Sequence, residues 1–118
     1  MTTPPRSEPV DLAIVDNAMR RAESLAAADP TNPLADEVAA ELAEHLVGLI
    51  PQAEYRLTRM PSRTPAQQRA HDVLEDAICH ARSVRHDEEA GRFSNPSARL
   101  YLLAGACRLM KTGMVPTW

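Results

Sequence analysis

Residues 32–61 read NPLADEVAAELAEHLVGLIPQAEYRLTRMP, and the fold follows from how this run is parsed. Asn32 is a strong helix N-cap, because its side-chain oxygen can accept from the free amides of the first turn. Pro33 then stands at the first helical position, where a missing N–H costs nothing. From there Leu34, Val38, Leu42, Leu46, Leu49 and Ala53 recur at steps of four and three, while Asp36, Glu37, Glu41 and Glu44 fall on the other side. That is the helical period of about 3.6 residues, not the period of two that marks a half-buried strand. Pro51 removes one donor and crowds the carbonyl four residues back, and Gly48 eases bending. The segment is therefore predicted as a helix over 33–60 that is kinked or split at Pro51.

The same signals recur on either side. Upstream, Leu12, Val15, Met19, Ala22 and Ala26 form an apolar seam, which predicts a helix over about 9–28, opened by Pro9 and capped by Ser7 or Glu8. The link Asp29-Pro30-Thr31-Asn32 is so short that the first two helices must form an antiparallel hairpin. Downstream, Thr64, Pro65 and Gln67 spell a capping box. They start a third helix over 65–85 with Ala66, Ala70, Val73, Leu74, Ala77, Ile78, Ala81 and Val84 inward. Asn95-Pro96 repeats the cap-and-proline signature and opens a fourth helix over 96–112, closed by Gly113. Phe93 is expected to fold back and anchor the connection over residues 86–94. The fold class predicted is all-α, a four-helix bundle in one domain over 9–118, behind a flexible tail at 1–8.

A family resemblance rests on one motif in this run. His45-Leu46-Val47-Gly48-Leu49-Ile50-Pro51-Gln52-Ala53-Glu54, then Leu57 and a Met60-Pro61 stop, resembles an uncharacterised family of small all-helical actinobacterial proteins carrying H-h-x-x-L-h-P-x-h-E, h being apolar. The likeness extends loosely over residues 35 to 112. It implies an all-helical fold and, through the label some members carry, a setting in natural-product biosynthesis. It supplies no catalytic residues.

Composition narrows the function classes. Of 118 residues 44% are hydrophobic but only 3% aromatic, which favours helices and argues against a stacking platform for bases. No signal peptide is recognised and no apolar run reaches the roughly 18 residues of a membrane span. With only Cys79 and Cys107, both on predicted helices, a reduced cytoplasmic protein is expected, the alternative being a disulfide between the third and fourth helices. The net charge of −3 conceals an asymmetry: residues 1–54 hold three arginines against ten acids, residues 55–118 ten cations against six. Two explanations stand, an acidic hairpin packed against a basic one, or a face that meets a charged partner.

The residues with chemical capacity form no strong constellation. Glu41 with His45, and Asp76 with His80, each set a carboxylate and an imidazole one helical turn apart, the arrangement from which bundles build metal sites. They are the weak metal candidates, because neither the spacing nor the number of ligands meets a di-iron or zinc pattern. Cys79 and His80 are adjacent on a helix and point about 100° apart, so they make a poor nucleophile pair. Arg82, Arg85, Arg92, Arg99 and Arg108 argue for phosphate contacts, against an acidic total and a long third loop. No cofactor is expected.

The fourth helix is apolar nearly all round, which marks either the centre of the fold or a subunit interface. The function expected first is therefore a non-enzymatic, protein-binding or regulatory module that forms a homodimer and binds an unidentified protein. Tyr101, Leu103, Met110 and Trp118 are the interface candidates. A nucleic-acid-associated regulator is the first alternative and a small metal-binding helical enzyme the second.

Overall fold

The computed structural model describes residues 11–114 and contains four helices: α1 (Leu12–Ala28), α2 (Pro33–Arg59), α3 (Pro65–Glu89) and α4 (Pro96–Met114). They pack as an all-α four-helix bundle. The expected tail, the residues proposed to cap the first helix, and Trp118 all lie outside the described residues.

Three of the starts follow from local chemistry as read. Asn32 accepts from the Leu34 amide at 2.9 Å with Pro33 at the first position. Thr64 accepts from Gln67 N at 3.1 Å while the Gln67 side chain takes the Thr64 amide at 3.2 Å, closing the capping box. Asn95 accepts from Ala98 N at 3.0 Å. The start of α1 differs from the expectation. Asp11 caps it, accepting from Ala13 N at 2.9 Å, so the helix begins at Leu12 and not at Pro9.

Two ends also move. α3 runs to Glu89, about a turn beyond the charged run that was expected to stop it. It closes in a Schellman motif, with Gly91 at φ +66° and the amides of Gly91 and Arg92 donating to the carbonyls of Glu88 and Asp87. Charges did not end the helix because they are solvated or paired on its surface; the left-handed glycine ends it. α4 continues to Met114, through Gly113. Phe93 does pack against the core from the shortened connection.

α2 is one continuous helix across Pro51 and is not split. Leu46, Leu49, Ile50 and Ala53 are all buried on both sides of the proline, so the core holds the two segments in line. Pro51 itself is exposed, and so is Val47, whose carbonyl loses its donor.

α4 touches each of the other three helices, whereas α1 and α3 do not meet. α2 and α4 therefore meet across the short diagonal of the bundle. They run the same way, since Asp36 meets Arg99 and Leu42 meets Cys107. α1 runs against α4: Asp16 meets Lys111, and the Ser97 hydroxyl donates to the Ala26 carbonyl near the C-terminus of α1. The core is leucine, alanine and methionine, with Leu42, Leu46, Leu49, Leu74, Leu100, Leu103 and Met110 fully buried. Burying each of these side chains contributes on the order of 2 kcal/mol. Three residues expected in the core are outside it: Leu34 and Val73 stand 53% and 52% exposed and Ala66 is exposed as well, while Ala35, beside Leu34, is buried.

Candidate functional site

The charged groups define the surface first, because six of the ion pairs reach across helices. Asp16 and Glu23 of α1 meet Lys111 and Arg108 of α4 at 2.6 and 2.7 Å. Asp36 of α2 meets Arg99 of α4 at 2.9 Å, and Glu54 of α2 pairs with Arg82 of α3. Arg99 also forks onto Glu88 of α3, with contacts of 2.8 and 2.6 Å. The acidic first half and the basic second half thus neutralise one another within the molecule. The first of the two readings of the asymmetry holds for these groups.

All five arginines that had suggested phosphate contacts are paired: Arg82 with Glu54, Arg85 with Glu89, Arg92 with Asp87, Arg99 with Glu88 and Asp36, Arg108 with Glu23. The hydrogen bond to Glu88 raises the pKa of Arg99 against the effect of burial, and the bond to Glu23 raises that of Arg108. These guanidiniums are bound to carboxylates in the positions where phosphates would need them.

Of the metal candidates, Glu41 and His45 come together. His45 Nε2 lies 3.2 Å from Glu41 Oε2, and Arg21 of α1 reaches both oxygens of Glu41 at 2.9 Å, its own Nε held by Asn17 at 2.8 Å. Burial pushes the Glu41 carboxyl up, but the hydrogen bonds from Arg21 and His45 and their charges outweigh it and hold the group below its ordinary 4.5. The cluster is a clamp between α1 and α2. Asp76 is exposed and His80 half-buried on α3. Among the described residues no three His, Cys, Asp or Glu side chains gather as a ligand set, so the two pairs do not converge.

Both cysteines are free thiols, Cys79 exposed and Cys107 buried. Cys107 lies 3.8 Å from the Leu42 carbonyl, and burial pushes its pKa up to about 12, so it is a small core residue in protonated form. The motif residues that carry the family resemblance have structural partners: His45 on Glu41, Glu54 on Arg82, and Pro51 on the open side of α2. Beside them Val47, Ile50, Pro51 and Glu54 of α2 and Arg82, Arg85 and His86 of α3 line an open depression of about 500 Å³.

The interface candidates divide. Leu103 and Met110 are wholly buried in the chain's own core, so they present no surface; the breadth of the apolar face on α4 is explained first by its central position. Tyr101 is 49% exposed, and Leu102 and Leu109, which the sequence reading did not single out, are 39% and 47% exposed on the same outward side. The spacing Tyr101, Gly105, Leu109, one residue every turn, was the available signal. It was hidden because every side of this helix is apolar. An added Cβ at Gly105 would meet nothing within 4 Å.

One group of cations finds no carboxylate among the described residues: Arg20, and then Arg56, Arg59, Arg63 and Arg69 around the α2–α3 corner. Arg59 lies over the exposed Tyr55 ring at 4.8 Å. Comparison of the chain with protein-family models, with curated proteins and with solved structures finds no match.

Proposed function

We propose that this chain is a non-enzymatic protein-interaction module that self-associates and presents the outer side of α4 to a second protein. The observation that carries the reading is the exposure of Tyr101, Leu102 and Leu109 on a helix whose inner side already fills the core. Large apolar side chains grouped on one outward face stabilise association when they are covered, and cost solvation when they are not. The ion pairs favour the same reading, because the strongest charge clusters are engaged in holding helices together. Two free thiols support a reducing, cytoplasmic setting. None of the helices described is long and apolar enough to cross a membrane.

Two measurements test this. Sedimentation equilibrium of the full chain should give a mass near twice 13.0 kDa at micromolar concentration, and a strict monomer at high micromolar overturns self-association. Affinity capture from a lysate of the source cells should retain a protein on the wild-type chain that is lost on Tyr101→Lys/Leu109→Lys. Circular dichroism should show that variant to be folded, and equal capture by both chains removes α4 as the docking face.

A further inference from the structure

The outer side of α4 carries a seam of its own. Ala98, Leu102, Gly105, Leu109 and Thr112 follow one another at steps of four, three, four and three, the spacing at which one helix packs along another. Gly105 is half-buried and the other four are exposed, Leu102 and Leu109 at 39% and 47%. Tyr101 and Arg108, both exposed, flank the seam on the edge next to α1, where Arg108 meets Glu23. The inward stripe of the same helix, with Leu100, Leu103, Cys107 and Met110, is already buried in the core. α1 and α3 both pack on α4 without meeting each other, so α4 is the middle helix of this side of the bundle.

These positions are balanced about one residue. Ala98 and Thr112 stand seven residues to either side of Gly105, Leu102 and Leu109 are centred between 105 and 106, and Tyr101 and Arg108 between 104 and 105. A two-fold axis across the helix at that centre brings the members of each couple together, and it sets each edge of the seam against the same edge of the copy. The centre is open. A Cβ added at Gly105 would meet nothing within 4 Å, so a second backbone has room to approach there. A parallel pair would instead set the charge of Arg108 against Leu109 and align the two helix dipoles, which repel in that arrangement.

We infer that the outer side of α4 is the seam of a homodimer in which a second copy of the chain packs antiparallel about a two-fold axis at Gly105. Leu102 covers Leu109 of the second copy, and the contact occurs twice. Tyr101 lies against the Arg108 of the second copy, a cation–π pairing that leaves that arginine on its own Glu23. The two glycines face one another at the axis. The seam rests on the self-association proposed above, assigns it a face, and makes the protein that α4 meets a second copy of this chain.

Gly105→Glu and Gly105→Lys test the axis, because a residue on a two-fold meets its own copy. The open space at Gly105 and the gain in helix propensity keep both variants folded, with circular dichroism as the check. By sedimentation equilibrium on the full chain, each should associate with itself about tenfold or more weakly than wild type, and a one-to-one mixture of the two should recover a heterodimer. Direction is read by oxidation in a Cys79→Ser background. Ala98→Cys and Thr112→Cys should each fail to crosslink alone, since like positions stand about 20 Å apart along an antiparallel pair, and should crosslink when mixed. Charged variants that dimerise as tightly as wild type, a charged mixture that stays monomeric, or cysteine variants that crosslink alone and not when mixed overturn the α4 seam while self-association stands. A monomeric wild type overturns both.

Discussion

At the scale of single residues, the groups that looked reactive in the sequence are those whose neighbours make them quiet. Glu41 is held below its ordinary 4.5 by Arg21 and His45. A carboxyl whose folded pKa is depressed contributes stability above its unfolded value and loses it as pH falls through the folded one. The acid limb of the stability curve below about pH 4.5 should therefore flatten in Glu41→Gln relative to wild type, read as urea midpoints across pH. Equal curves would show that the clamp is not what acid breaks. Cys107, with its pKa near 12 and no exposure, should resist a thiol reagent that titrates Cys79 at neutral pH. One thiol is expected to react in the native protein and both in denaturant. None of this was legible from spacing alone. Glu41 and His45 are correctly read as one turn apart, but the partner that fixes their role, Arg21, is on another helix.

Elements were the most legible scale, and the exceptions are instructive. Caps at Asn32, Thr64 and Asn95 act within three residues and were read directly. Pro51 was read as a possible break, yet the core on both sides of it keeps α2 whole. Pro51→Ala should restore one backbone hydrogen bond and stabilise the chain by about 2 kcal/mol, measured by chemical unfolding in dilute solution. α4 offers a paired test of its two sides. At Gly105 there is open space for a Cβ, so Gly105→Ala should gain about 1 kcal/mol from helix propensity. At Gly113 a Cβ would lie 3.1 Å from Leu74 Cδ1 and 3.3 Å from Leu74 Cα. Because backbone must yield there, Gly113→Ala should lose about 1 to 2 kcal/mol instead. Opposite signs for two identical substitutions on one helix would confirm which side faces the core.

Considered whole, the molecule is tied by ion pairs that join helices distant in sequence. Arg99 is the clearest, since it binds Glu88 of α3 and Asp36 of α2 from α4, and Glu88 is only 14% exposed in its side chain. Arg99→Met keeps the stem and strands Glu88 without its partner, so a loss of about 2 kcal/mol is expected from thermal or denaturant unfolding. The exposed pairs, such as Arg108 with Glu23, should contribute under 1 kcal/mol each and fade with salt.

The sequence by itself determined four helices, most of their caps, the hairpin links and the inward stripes of α1 and α2 from Val38 onward. Those features depend on hydrogen bonds and periodicities spanning only a few neighbours along the chain. Only the tertiary structure decided that Ala35 and not Leu34 is buried, that α2 survives its proline, that Leu103 and Met110 face inward while Leu102 and Leu109 face out, and which carboxylate each arginine takes. Burial and charge pairing are set by which helices approach one another and at what rotation. When a helix is apolar on every side, as α4 is, its own residues carry no record of that choice.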